Sequence, residues 1–185
     1  MVKLNEFQNK FMEILLILMV VFCLLLSATA IVSIGLRVPY VPTKKTVIDK
    51  IFKTIKLKKG KNFYDLGCGD GRMLLEAEKR TKANVFGYEI APLIYIYALL
   101  KKLYYRSKAK IYYKNFFKEK LNKADVIFCY LMPFQLKKLA YKIKKECKKG
   151  TLVVSNTFKI EGLKPEKVII KNPVEKTPTL YFYKI

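Results

Sequence analysis

The sequence contains no histidine and no tryptophan, and it has four cysteines among its 185 residues. Zinc sites need Cys or His at close spacing, and Cys23, Cys68, Cys129 and Cys147 stand far apart, so we expect no metal centre. The same spacing argues against a disulfide framework and favours reduced thiols in a cytosolic domain. Acidic residues are scarce as well, because 14 Asp and Glu oppose 37 Lys and Arg.

The resulting net charge of +23 allows two interpretations. A large positive charge attracts an anionic partner, which could be a phospholipid headgroup, a nucleic acid or an acidic protein. The basic residues are, however, mostly lysines spread along the chain, and a biased composition gives the same result. The charge alone therefore does not name a partner.

A long uncharged segment lies near the N-terminus. Residues 14–36 carry no charged side chain, and 23 residues suffice to cross a hydrocarbon core of roughly 30 Å. The charges of residues 1–13 cancel, so the basic excess follows the segment and predicts a cytoplasmic C-terminal side. We predict a short non-cytoplasmic segment (1–13), a single transmembrane helix (14–36) and a cytoplasmic domain (37–185). The alternative is a signal peptide cleaved at Ala-Thr-Ala (28–30), but the apolar stretch continues past that site.

Beyond residue 36, short β-branched or aromatic runs alternate with helical patterns, which is typical of an α/β fold with a mainly parallel sheet. The periodicity predicts helices over residues 45–56, 72–81, 92–105 and 133–148. It predicts strands over residues 62–66, 84–89, 110–113, 124–130, 151–156, 167–171 and 179–183. Thr43 is the predicted N-cap of the first of these helices. Because no helix separates the last two strands, we expect them to pair antiparallel.

The most specific motif is a glycine-rich turn between the first predicted strand and the helix that follows it. Residues 63–72 read Phe-Tyr-Asp-Leu-Gly-Cys-Gly-Asp-Gly-Arg, so Gly67, Gly69 and Gly71 form G-x-G-x-G. Glycines let a ligand lie against the backbone, and the helix N-terminus offers free N–H groups. This pattern is neither the dinucleotide G-x-G-x-x-G nor a Walker A motif. Asp65, just before the turn, would repel pyrophosphate and suits a cation such as the ammonium of S-adenosylmethionine.

Two later positions fit the same ligand. Glu89 ends the second predicted strand, where a carboxylate can accept hydrogen bonds from both ribose hydroxyls. The alternative is a plain surface glutamate. Asn115 follows the third strand, where its amide could meet an adenine edge. The alternative for Asn115 is a loop or capping role.

At these residues the sequence resembles the class I, seven-β-strand methyltransferases. Residues 38–43, Val-Pro-Tyr-Val-Pro-Thr, followed by the glycine turn, are similar to a narrower group of lysine methyltransferases. That group includes the small archaeal protein-lysine methyltransferase and the mitochondrial enzymes acting on the ATP synthase c-subunit and the adenine nucleotide translocase. Residues 114–117 and 150–155 also match the archaeal pattern, and the resemblance runs from residue 37 to the C-terminus. One departure is Asn156, where the archaeal pattern has histidine.

The resemblance implies a Rossmann-like, seven-stranded methyltransferase sheet that uses S-adenosylmethionine. The implied cofactor-binding residues are Tyr64, Asp65, Gly67, Gly69, Gly71, Glu89, Asn115 and Phe116. The candidates on the acceptor side are Tyr40, Pro42, Thr43, Tyr130, Asn156 and Phe158. An aromatic, water-poor slot would favour a neutral lysine amine, because burial disfavours the charged ammonium. Plain core packing is the alternative for the aromatic candidates.

We therefore predict a protein-lysine N-methyltransferase whose substrate is a membrane or membrane-proximal protein. The anionic membrane surface would then be the partner of the basic charge. Nucleic acid is disfavoured, because residues 129–134, Cys-Tyr-Leu-Met-Pro-Phe, lack the Asn/Asp-Pro-Pro-aromatic motif of base-methylating enzymes. Two alternatives stay open: a small-molecule or lipid methyltransferase, and a membrane protein that binds the cofactor without catalysis.

Overall fold

A computed structural model describes residues 2–36 and 39–185. Their α-helices are α1 (Val2–Leu36), α2 (Lys45–Thr54), α3 (Arg72–Thr81), α4 (Pro92–Tyr104) and α5 (Pro133–Glu146). Their strands are β1 (Asn62–Leu66), β2 (Asn84–Glu89), β3 (Lys110–Tyr113), β4 (Val126–Cys129), β5 (Leu152–Asn156), β6 (Lys167–Ile169) and β7 (Leu180–Lys184). A short 3-10 helix, Phe116–Lys118, follows β3. Arg37 and Val38, where we predicted the domain and the Val-Pro-Tyr stretch to begin, lie outside the described residues.

The seven strands form one sheet in the order β3-β2-β1-β4-β5-β7-β6. The pairs from β3 through β5 are parallel, whereas β7 pairs antiparallel with both β5 and β6. The predicted α/β fold and the antiparallel pairing of the last two strands are thus confirmed. The strand order reverses at β1 and β4, so the turns after these central strands open a crevice at their carboxyl ends.

Each face of the sheet packs against its own helices. On one face, Ile51 of α2, Leu74 of α3 and Ala98 of α4 belong to a buried apolar cluster. On the other face, Leu136 and Leu139 of α5 belong to a second cluster. Because strand side chains alternate between faces, the buried strands supply both clusters and read as nearly continuous apolar runs.

In the domain after residue 38, the predicted boundaries agree with the observed ones or differ by one or two residues, and one predicted cap is wrong. Helix α1 begins at Val2, twelve residues before the predicted start of the transmembrane helix. Helix α2 ends at Thr54 rather than at residue 56, because Ile55 is extended and packs into the core. The N-cap of α2 is Lys44, not Thr43. Thr43 is instead buried, and its carbonyl oxygen accepts a hydrogen bond from Nη1 of Arg72 at 3.2 Å.

Helix α1 is long and apolar enough to cross a membrane, over Glu6–Gly35. Large apolar side chains project from it without protein contacts, and Phe22, for example, is 56% exposed. Among the described residues, α1 packs against α4. There the hydroxyl oxygen of Thr29 accepts a hydrogen bond from the N–H of Leu93 at 3.0 Å. Along most of the length of α1, its apolar side chains are therefore not buried by the other described residues.

Candidate active site

The glycine turn lies at the carboxyl end of β1 and leads directly into α3. Gly67, Gly69 and Gly71 have φ angles of 81°, 55° and 75°, a region that residues with a Cβ atom rarely adopt. The N–H groups of Gly67 and Cys68 donate to the carbonyl oxygen of Tyr88 at 3.0 and 2.9 Å, which ties the turn to β2. The spacing of the three glycines thus follows from the backbone conformation of the turn.

The lack of a side chain at Gly69 also lets the ring of Tyr40 approach the backbone closely. A Cβ atom at this position would lie 2.9 Å from Cε2 of Tyr40, closer than real Cβ atoms come to their neighbours. The segment before α2 therefore folds over the glycine turn. Burial, followed by the nearby Asp70 carboxylate, raises the pKa of Tyr40, while Arg72 opposes that shift. The Tyr40 phenol consequently stays neutral at physiological pH.

Asp65 is a buried carboxylate at the end of β1, with 2% of its surface exposed. Burial raises its pKa well above the usual range, and the carboxylates of Glu89 and Asp70 raise it further. Asp65 also borders the cavity described below. A buried carboxylate is costly unless a cation pairs with it, so the position fits a cationic ligand group.

The carboxylate of Glu89 accepts hydrogen bonds from three backbone N–H groups. Oε2 accepts from Gly69 at 2.9 Å, and Oε1 accepts from Ile90 and Ala91, both at 2.8 Å. The bond from Gly69 ties the Glu89 side chain, at the end of β2, to the glycine turn that follows β1. Each carboxylate oxygen has two lone pairs, so Glu89 keeps acceptor capacity for a ligand hydroxyl.

A charged cluster beside the turn was not predicted from the sequence. Asp70 is 1% exposed and accepts from Nε and Nη2 of Arg72 and from Nζ of Lys101, at 2.7 to 3.1 Å. Burial opposes ionisation of Asp70, but the bonds from Arg72 and Lys101 outweigh it and lower its pKa. Arg72 lies two residues after Asp70, whereas Lys101 comes from α4, so only the fold brings the complete cluster together.

A cavity lies over the turn, at the carboxyl ends of the central strands. Most of the predicted site residues line it: Tyr40, Pro42, Thr43, Asp65, Gly67, Gly69, Glu89, Asn115, Phe116, Tyr130 and Phe158. Residues that we did not predict also contribute, among them Met73, Tyr88, Phe128 and Gln135. The cavity therefore joins the predicted cofactor side and the predicted acceptor side in one space.

Three predicted site residues do not line this cavity. Tyr64 packs in the second apolar cluster against Phe86, with ring centroids 5.0 Å apart. Asn156 is 1% exposed, and its side-chain oxygen accepts from the hydroxyl of Thr157 at 3.3 Å. The third is Gly71, which serves as the N-cap residue of α3.

Asn115 lines the cavity and also has the capping role that we named as its alternative. Its Oδ1 accepts from the N–H of Phe117 at 3.0 Å, which caps the short 3-10 helix. The adenine contact stays a prediction.

Helix α1 supplies Val32 and Ser33 to the wall of the cavity. Nothing in the sequence distinguishes these residues from the rest of the apolar stretch, so the contribution could not be predicted. Among residues 2–36 and 39–185, no group of three or more Cys, Asp or Glu side chains is arranged to hold a metal ion.

A parallel sheet with an antiparallel β7, a glycine turn after β1 and acidic residues at the ends of β1 and β2 define a class I S-adenosylmethionine-dependent methyltransferase. A family model, described as the ANTKMT methyltransferase domain, matches residues 65–167. The chain belongs to this family.

Two curated relatives agree with that assignment. A protein-lysine N-methyltransferase of Saccharolobus islandicus is 35% identical over 80% of this chain and 94% of its own length. The adenine nucleotide translocase lysine N-methyltransferase of Mus musculus is 29% identical over 75% of this chain and 61% of its own length.

Solved structures support the same fold and cofactor. An RNA methyltransferase from Salinibacter ruber, in complex with S-adenosyl-L-homocysteine, has a TM-score of 0.73 and 26% identity over 78% of this chain and 94% of its own. Fibrillarin from Aeropyrum pernix, with natively bound S-adenosyl-L-methionine, has a TM-score of 0.58 and 12% identity over 75% of this chain and 72% of its own. The second likeness concerns the fold alone. The cofactor of this chain is S-adenosylmethionine.

Proposed function

We propose that this chain N-methylates a lysine of a protein that lies in or beside a membrane. The observation that carries the proposal is the position of α1, which is apolar enough to span a bilayer and supplies Val32 and Ser33 to the cavity wall. A cavity bordered by the end of a membrane span opens close to the bilayer surface. The similarity to two lysine methyltransferases supports lysine as the acceptor.

On the cofactor side, the chain offers complementary groups to S-adenosylmethionine, which supplies an activated methyl group. The buried Asp65 carboxylate would hold the ammonium of the cofactor, and Glu89 would accept from its ribose hydroxyls. Gly67 and Gly69 line the cavity beside these carboxylates, and Asn115 and Phe116 would border the adenine. This arrangement fixes the cofactor by groups at the ends of β1, β2 and β3.

On the acceptor side, the cavity favours a neutral amine. A lysine ammonium has a reference pKa of about 10.4 and must lose its proton before its nitrogen can accept a methyl group. Tyr40, Tyr130 and Phe158 line the cavity with aromatic rings, and burial between such rings disfavours the charged form. The chain thereby positions and desolvates the acceptor, and these two effects are what an in-line transfer needs from a protein.

We further propose that α1 spans the membrane once and that the catalytic domain is cytoplasmic. The basic excess after residue 36 supports this orientation under the positive-inside rule. It also supplies charge that an anionic leaflet attracts, which would offset the repulsion between a cationic enzyme and a lysine-rich substrate.

Labelled S-adenosylmethionine tests the acceptor class. The full chain, reconstituted in vesicles, is incubated with membranes and with total RNA of the source organism, and the label is followed into protein hydrolysates, lipid and RNA. We expect labelled methyl-lysine from membrane proteins. Label that enters only lipid or only RNA would contradict the proposal, and the Salinibacter ruber likeness makes RNA the most informative comparison.

A matched pair of variants controls this experiment. Glu89→Gln removes a charge from the cavity, whereas Glu161→Gln makes the same change at an exposed residue outside it. We expect Glu89→Gln to lower the labelling and Glu161→Gln to leave it unchanged.

A further inference from the structure

Helix α4 carries a row of apolar side chains that the described residues leave uncovered. Ile96, Tyr97, Leu100, Leu103 and Tyr104 are between 37% and 80% exposed. Counted from Ile96, the other four lie one, four, seven and eight residues later, which places all five along one side of the helix. We call these five residues the α4 stripe. The buried side of the same helix packs against the sheet through Ala98, which is 1% exposed.

The stripe is continuous with the contact that α4 makes to α1. Leu93 lies one turn before Tyr97 on the same side of α4, and its N–H donates to the hydroxyl of Thr29 at 3.0 Å. Ala91 has no side chain that could cap α4, so Thr29 accepts from the second residue of the helix as an N-cap residue would. The first turn of α4 is therefore fastened to α1.

The position of Thr29 sets how far this contact lies from the end of the span. Thr29 stands seven residues before the last residue of α1, or about 10 Å along the helix axis at 1.5 Å per residue. The first turn of α4 consequently lies beside the apolar part of α1 and not beyond it. If α1 crosses a bilayer over residues 14–36, the α4 stripe begins beside the last turns of that span, on its C-terminal side.

The side chains around the stripe match a lipid interface in chemistry. Tyrosines with one apolar and one polar end are enriched where membranes meet water, and Tyr97, Tyr104 and Tyr113 are all at least half exposed. Basic residues outnumber acidic ones in the groove that follows the C-terminal end of α4: Lys79, Lys82, Arg106, Lys108 and Lys110 line it together with Glu76 and Glu78. Apolar and aromatic side chains beside a basic groove suit a surface that contains anionic phospholipids.

We infer that the α4 stripe is a second membrane contact, which rests on an anionic bilayer surface beside α1. A single span leaves a domain free to turn about the helix axis, whereas two contacts fix its orientation. The cavity wall includes Ile94 of α4 together with Val32 and Ser33 of α1, so both helices that make these contacts border the cavity. The inference rests on the proposed membrane insertion of α1, and it adds that the active site is held against the lipid surface.

The lack of tryptophan makes a direct test possible, because one substitution introduces the only indole of the chain. Tyr104→Trp places it in the α4 stripe, and Phe22→Trp places it in α1. The control is Tyr141→Trp, at a tyrosine of α5 that is 73% exposed, as against 80% for Tyr104, and lies on the other face of the sheet. The full chain is reconstituted in vesicles of phosphatidylcholine and phosphatidylglycerol, with and without brominated acyl chains.

We expect brominated lipid to remove a large part of the emission of Phe22→Trp and Tyr104→Trp, and none of Tyr141→Trp. Loss of emission in Phe22→Trp alone would overturn the second contact and leave the membrane span intact. No loss in either would overturn both. A blue shift of Tyr104→Trp without loss of emission would mean that protein, such as a second copy of the chain, covers the stripe. Lysine methylation is not measured in this experiment, so its outcome is independent of the substrate class.

Discussion

Replacement of Asp65 by asparagine should affect cofactor binding and protein stability in opposite directions. Asparagine has nearly the same size and keeps one oxygen acceptor, but it has no charge. A hydrogen bond to a charged group contributes about 1.5–3 kcal/mol, so we expect Asp65→Asn to weaken S-adenosylmethionine binding by roughly 10- to 150-fold. Isothermal titration calorimetry of the full chain in nanodiscs measures this change.

The stability of the cofactor-free protein should rise. Burial raises the pKa of Asp65 in the folded protein, so the folded state holds the proton more tightly than the unfolded chain. The ionised group therefore destabilises the fold as the pH rises from the unfolded to the folded pKa, and the full loss remains above it. Asp65→Asn removes this loss at neutral pH. Glu89→Gln, by contrast, weakens three backbone hydrogen bonds and should lower both binding and stability.

The same pKa predicts a pH dependence of binding. The cofactor ammonium pairs with an ionised Asp65, so affinity should increase with pH until the folded pKa is passed and then level off. On the acidic side, binding should release a proton, which calorimetry in two buffers of different ionisation enthalpy detects. Asp65→Asn should abolish that release. If Asp65→Asn left the affinity unchanged, or lowered stability as Glu89→Gln does, the assignment of Asp65 to the cationic ligand would be refuted.

Three further substitutions test other parts of the fold. Gly87→Ala should lower the free energy of unfolding by about 1–3 kcal/mol in urea titrations, because its Cβ would collide with Leu74 in the core. Asp70→Asn should cost about 1.5–3 kcal/mol, because it removes the charged acceptor of the hydrogen bonds from Arg72 and Lys101. Thr29→Val should remove the cap of α4, worth about 1 kcal/mol, and speed hydrogen exchange of the Leu93 amide by about fivefold.

Each of these predictions has its own control or contrary result. Ser27→Ala removes a hydroxyl that bonds only to Cys23 of its own helix, and it should leave the exchange of Leu93 unchanged. The pKa of Asp70 is lowered in the fold, so its contribution should be present above the unfolded pKa and disappear as the pH falls through the folded one. If the stability of the Asp70→Asn protein fell at acidic pH in the same way as that of the wild type, that role would be contradicted. An unchanged urea midpoint for Gly87→Ala would contradict the collision.

The features that local sequence determined are those whose physical cause is local. The glycine turn was predictable because positive φ angles and a close ligand approach demand glycine within a few residues. The strand before it and the helix after it follow from the period of their apolar residues. The apolar stretch of α1 is likewise a property of one continuous segment, and so is its capacity to cross a bilayer.

Tertiary structure alone decided which distant residues meet. Tyr40 lies over Gly69, Lys101 reaches Asp70, and Thr29 caps α4, and no spacing in the chain encodes these contacts. The sequence pattern also does not predict whether a polar residue near a strand end lines the cavity or packs in the core. Asn156 illustrates this, because it is buried and does not line the cavity. Side chains that meet through the packing of helices on a sheet depend on crossing angles and rotamers, whereas a turn or an apolar helix depends on its own residues.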